Sequence, residues 1–170
     1  RHPILDGDRI ECVVADDRRV TARVDGGIRV EADFVRAVRD PIVHRDGATL
    51  QPIAFVLDES WSDYGMRAGD DAAIYAEDGI AHPSSWPRIA NRFCHEQLVT
   101  GSWIHVRSRI AHLGSAAIGT EIRAVAAVVE RIDSRAGERA ILDVRITADG
   151  RDVAAVEHEA GGHARAEVEV

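Results

Sequence analysis

The stretch from Gly79 to Gly114, GIAHPSSWPRIANRFCHEQLVTGSWIHVRSRIAHLG, constrains this chain more than any other. Ser84 or Ser85 is placed to cap a helix, because a serine oxygen accepts one of the backbone N–H groups that a first turn leaves unpaired. Pro87 then falls in that first turn, where no N–H is needed. Trp86, Ile89, Ala90, Phe93, Gln97 and Leu98 recur at spacings of three and four, which predicts a helix of about four turns with one nearly continuous apolar stripe. Thr100-Gly101 ends the stripe. From Trp103 the period changes to two, with Ile104, Val106, Ser108 and Ile110 on one face and Trp103, His105, Arg107 and Arg109 on the other. A lone striped helix must bury its stripe, and the strand after it offers the surface.

The rest of the chain supplies the sheet. Residues 8 to 38 hold short alternating runs, Ile10-Cys12-Val14, Val20-Ala22-Val24 and Ile28-Val30. Asp16-Asp17 and Asp25-Gly26-Gly27 separate them, and these residue types tolerate the positive φ of tight hairpins, so a small antiparallel meander is expected. Pro41 to Gln51 reads as a linker or loop. Ile53 to Leu57 reads as a short buried strand, and Asp58 or Ser60 as the cap of a short helix running to Met66. Four strands at hairpin spacing follow the central helix: Trp103 to Leu113, Glu121 to Ile132, Arg139 to Thr147 and Asp152 to His158. Gly114-Ser115, Ser134 to Gly137 and Ala148-Asp149-Gly150 separate them, and Gly161-Gly162 is expected to break the last. This order predicts an α+β fold in which a curved antiparallel sheet wraps one long central helix.

Composition excludes several classes of function. No apolar run approaches the ~18 residues of a membrane span. With a net charge of −8 the chain has no basic field to hold nucleic acid. All 21 basic residues are arginine, which excludes Schiff-base or nucleophilic lysine chemistry. Cys12 and Cys94 form no CxxC pair, so neither a disulfide framework nor a zinc site is expected. His105 and His112, seven apart on a predicted strand, point to opposite faces and give no metal site. No signal peptide is visible, and a reducing, cytoplasmic setting is the expectation.

Three segments carry a resemblance. Ala68-Gly-Asp-Asp-Ala-Ala-Ile-Tyr75 is similar to a GDxNPxH motif, Ile80-Ala-His-Pro83 precedes the long helix, and Gly101-Ser-Trp-Ile-His105 opens the next strand. In these features, over about Pro52 to Ala160, the chain resembles the hotdog fold and, within it, the MaoC-like acyl-thioester hydratases and dehydratases. The resemblance implies a hotdog domain over residues 51–170. Residues 1–50 are then a β-rich extension, a candidate remnant of the first unit of a double hotdog.

Hydration of an enoyl thioester requires a base for water, an acid for the α-carbon and donors for the thioester oxygen. Carried over by position, the resemblance puts the motif aspartate on Asp70 and the donors on the backbone N–H groups of Ser84 and Ser85. It puts the motif histidine on Tyr75, whose unperturbed pKa near ~10 makes it a poor base, and the motif Asn and Pro on Ala72 and Ala73. His82 is the nearest histidine to take the missing role. Trp86, Arg107 and Arg109 are candidate contacts to an acyl group and to the phosphates of CoA or phosphopantetheine, which enter only as part of the substrate. Glu96 is similar to the helix-borne carboxylate of hotdog thioesterases. The competing readings are structural: turn or cap residues for Asp70 and Asp71, packing for Tyr75, a backbone-bonded histidine for His82 and surface ion pairs for the arginines. The expected function is therefore binding of acyl-CoA or acyl carrier protein thioesters, with (R)-specific enoyl hydration or 3-hydroxyacyl dehydration as the activity. A thioesterase and a non-catalytic hotdog subunit are the alternatives. Unpaired strand edges lead us to expect a homodimer or a second hotdog partner.

Overall fold

The computed structural model describes residues 8–15, 18–33, 42–67, 73–134 and 137–164. The chain divides into two compact units, Arg1–Asp40 and Pro41–Val170. The described part of the first is the expected meander: β1 Glu11–Val14, β2 Arg19–Val24 and β3 Gly27–Asp33, paired antiparallel in that order. Its second hairpin closes through Asp25 and Gly26, with φ of 50° and 73°. Two successive left-handed residues let a two-residue turn match the strand twist.

The second unit starts about ten residues earlier than the expected boundary. The segment Pro41 to Gln51 is not a free linker, because Ala48 and Thr49 within it form a short strand of the sheet. This strand, β4 Ala48–Thr49, pairs with Val128 and Ala127 of β7 Glu121–Ser134, and the Leu50 N–H donates to the Ala126 carbonyl at 2.9 Å. A Cβ on Gly47 would run into the Val128 carbonyl, so the loop approaches β7 as closely as glycine permits. Gln97, at the far end of the central helix, clips Gln51 through both of its backbone polar groups, at 2.8 and 3.0 Å.

Six strands form the sheet of this unit. β5 Ile53–Val56, β6 Val99–His112, β7 Glu121–Ser134, β8 Gly137–Ala148 and β9 Arg151–Ala164 join β4 in the order β4-β7-β8-β9-β6, with β5 also on β7 and every pairing antiparallel. Asp149-Gly150 closes the β8–β9 hairpin with φ of 47° and 78°, as its residue types require. Gly161-Gly162 does not break β9. Both glycines are paired on two sides, to Trp103 and Ile104 of β6 and to Glu138 and Arg139 of β8, and this ladder outweighs their weak strand preference.

One face of the sheet carries Ile122, Ala124, Ala126 and Val128 of β7 beside Leu142, Val144, Ile146 and Ala148 of β8, with Ala154 and Val156 of β9 continuing the rows. Ile89, Ala90, Phe93 and Cys94 are fully buried in the same cluster. The first three come from α3 Ser85–Phe93, which follows the short helices α1 Tyr64–Arg67 and α2 Ile74–Glu77, and Cys94 directly follows α3. The predicted stripe is therefore the core of the fold. The helix does not run its four turns as an α-helix, since Cys94–Leu98 is a π-turn. The wider turn shifts the phase so that Leu98 is buried while Gln97 reaches Gln51.

The opposite face is a lattice of ion pairs. Asp143, with 1% of its side chain exposed, accepts two bonds from Arg145 at 2.7 and 3.0 Å and one from the Arg45 N–H at 2.9 Å. Glu159, almost as buried, accepts from Arg107 at 2.6 Å and Arg139 at 2.7 Å. Each of these buried carboxylates is enclosed by guanidinium donors, the pairing that burial of such a group requires.

Candidate active site at the amino end of the central helix

The loop before α3 is pinned at His82. Its N–H donates to the Trp61 carbonyl at 3.0 Å, and the neighbouring Ala81 N–H donates to Ala116 at 2.9 Å. Trp61 closes a short 3-10 turn, Glu59–Trp61, that Asp58 caps by accepting the Ser60 N–H at 3.0 Å. Trp61 stacks on Phe55 at 4.7 Å, and the Arg88 guanidinium sits 4.3 Å above its ring. The His82 backbone is thereby tied to the core.

The imidazole is held as firmly. Tyr75 meets it edge-on with ring centroids 4.6 Å apart, and Gly65 of α1 lies close against its Cδ2 and Nε2 atoms. The Ser84 hydroxyl is 2.5 Å from Nδ1, and the Ser84 N–H donates to Nδ1 at 3.2 Å. An amide N–H can only donate, so Nδ1 accepts and a neutral ring carries its proton on Nε2. This tautomer can donate a proton or a hydrogen bond through Nε2. A Cβ at position 65 would lie 2.5 Å from both Nε2 and Cδ2. Gly65→Ala should therefore turn the ring from its place and lower any His82-dependent turnover by about tenfold or more, since displacements of about 1 Å have effects of that order. Comparing kcat of the variant and the parent checks this.

Several expected roles change. Ser84 stands at the helix N-cap position but makes no capping bond, because its hydroxyl is on His82; the Ser85 hydroxyl donates to the Trp61 carbonyl at 3.3 Å. The two expected oxyanion amides are engaged in this arrangement, Ser84 N–H with Nδ1 and Ser85 N–H with the His82 carbonyl at 2.9 Å. The helix starts in a tight turn that consumes its own first donors. Trp86 is 1% exposed and is a core residue rather than a lining one. Arg107 is committed to buried Glu159, and Arg109 lies across from Glu157 in the β6–β9 ladder on the face opposite the helix. Glu96 pairs with Arg92 at 2.6 Å, one helical turn away on the exposed side. Asp70, with Ala72, lies outside the described residues; Tyr75 stands beside His82.

A bulge alters the reading of β6. Between His105 and Arg107 the register shifts by one residue, so that His105 faces Ala160, Arg107 faces Glu159 and Ser108 faces His158. The extra residue, Val106, rotates His105 onto the face that carries Ser108. His112 falls on that face too, opposite Ala154, but six residues of strand, about 20 Å, separate it from His105. No group of three metal-binding side chains occurs among the described residues. Burial holds the Cys94 thiol up at about 12, which leaves it unreactive. No helix among the described residues is long and apolar enough to cross a membrane.

By sequence, no family model and no curated protein matches the chain. By structure, it is similar to R-hydratase PhaJ1 from Pseudomonas aeruginosa, with TM-score 0.57 and 14% identity, over 75% of this chain and 90% of that one. The (R)-hydratase from A. caviae involved in PHA biosynthesis superposes with TM-score 0.54 and 16% identity, over 68% and 95% of the two chains. A chain of the ChsH1–ChsH2 complex from Mycobacterium tuberculosis superposes with TM-score 0.55 and 11% identity, over 69% and 97%. Identities this low speak for the fold alone, and they agree with the strand order and the single long helix: the chain is a hotdog-fold protein.

Proposed function

We propose that this protein binds acyl thioesters of CoA or a carrier protein and catalyses hydration of an enoyl thioester, or the reverse dehydration. The observation that carries the reading is His82, fixed by Trp61, Tyr75, Gly65 and Ser84 at the amino end of α3 with its proton on Nε2. Such a group can polarise the thioester oxygen or pass a proton to the α-carbon, while Asp70, as the resemblance implies, activates water. The hydratases among the fold neighbours support the choice of substrate class. Arg92 already holds Glu96, which weighs against a thioesterase built on that carboxylate.

A non-catalytic hotdog subunit is the second reading. It is favoured by the engagement of both Ser84 and Ser85 amides and by Tyr75 at the place of the motif histidine. Incubation with crotonyl-CoA and with saturated acyl-CoAs separates the possibilities. Loss of enoyl absorbance that Asp70→Asn abolishes supports the hydratase. Binding without turnover supports the subunit, and absence of thioester binding sinks both.

A further inference from the structure

Away from His82, three side chains meet on the helix-facing side of β6 and β9. Across the sheet, Val128, Leu142, His158 and Ser108 form one row, so a histidine and a serine continue a line of core residues. His158 is wholly buried. Its Nδ1 is 2.8 Å from Ser108 Oγ, and the same oxygen is 3.0 Å from His105 Nε2. The two imidazoles stack with centroids 4.6 Å apart and planes 25° from parallel. The bulge at Val106 makes this possible, because in an unbroken strand His105 and Ser108 would point to opposite faces.

The protons can be assigned. His158 Nε2 is buried with no hydrogen-bond partner, and an orphaned acceptor is tolerated better than an orphaned donor. The proton of His158 therefore belongs on Nδ1, donated to Ser108 Oγ. With that lone pair taken, the serine hydroxyl donates to His105 Nε2. Desolvation, and then the charge that His105 can carry, lower the pKa of His158 to about 4, so it stays neutral as this orientation requires. His105 is exposed to solvent. Trp103 lies on the same face, its ring 6.5 Å from His158 edge-on, and forms an apolar wall.

We propose that Ser108 is an activated nucleophile, with His105 as its base and the His158 Nδ1–H holding the negative charge that develops on Oγ, and that it accepts acyl groups from small apolar esters or thioesters. Oγ attacks the carbonyl carbon as its proton passes to His105. The C–S or C–O bond then breaks, and the leaving thiolate or alkoxide takes that proton from His105. Water, deprotonated by His105, attacks the acyl-serine; Oγ recovers the proton, and the carboxylic acid departs. The site is independent of the His82 reading, since it uses none of the same residues.

An alkyl fluorophosphonate tests this without any hydratase assay. The intact protein should gain the mass of one phosphonyl group, mapped by peptide mass spectrometry to Ser108. Ser108→Ala should remove the adduct, and His105→Ala should slow labelling by about 10²-fold or more, the usual contribution of a positioned base. His105 is exposed, so its removal leaves the core intact; an unchanged melting temperature in the variant verifies that. No adduct on the parent protein, an adduct at another residue, or a labelling rate indifferent to His105→Ala overturns the proposal.

Discussion

His82→Gln is expected to lower kcat for hydration of crotonyl-CoA by about 10²–10⁴-fold, with KM changed little. Glutamine retains a polar side chain of similar reach but cannot take up and release a proton near neutral pH. The loss corresponds to about 3–5 kcal/mol of transition-state stabilisation. KM is expected to hold because, in the proposed mechanism, the imidazole acts on the reacting centre, whereas most of the affinity for a CoA thioester arises along the rest of a long ligand. The melting temperature is a necessary control, since the ring also packs against Tyr75 and Gly65. Steady-state kinetics that follow the loss of enoyl absorbance make the comparison direct. A rate within threefold of the parent, in a variant that melts normally, removes His82 from the mechanism.

The second large effect concerns stability. Phe93→Ala should destabilise the folded chain by about 3–5 kcal/mol, a large part of the ~5–15 kcal/mol that holds a domain together. Phe93 is wholly buried, ends the regular part of α3, and belongs to the cluster that joins the helix to Leu142, Val144 and Val156. The cavity left by its ring cannot collapse easily, because the helix is tied at both ends. Trp61 accepts from His82 and Ser85 at one, and Gln97 holds Gln51 at the other. Urea unfolding should show a lower midpoint with an unchanged slope, the signature of lost stability rather than altered compactness. Loss of less than about 1 kcal/mol would falsify the placement of this side chain at the centre of the core.

The long helix, its stripe and the strands after it were legible because they are local. Periods of 3.6 and 2 state which side of an element is apolar, and Asp25-Gly26 and Asp149-Gly150 announce hairpins whose backbone angles few other pairs tolerate. Trp86 was visible as an apolar residue of the stripe but not as an inaccessible one, since burial depends on what the rest of the chain lays over it. The capping prediction failed for a related reason. A serine next to an imidazole has two partners to choose from, and the position of the His82 ring, fixed by Tyr75 and Gly65, decided for the ring.

By itself, then, the order of residues determined the class of fold and the faces of its elements, because both follow from short-range spacing. Tertiary structure alone decided which polar groups meet. Cys94–Leu98 widens into a π-turn, β9 continues through two glycines, and a single extra residue at Val106 turns His105 toward Ser108 and His158, fifty residues further on. Each depends on ladders and packing between segments distant in the chain, where no local preference records the partner.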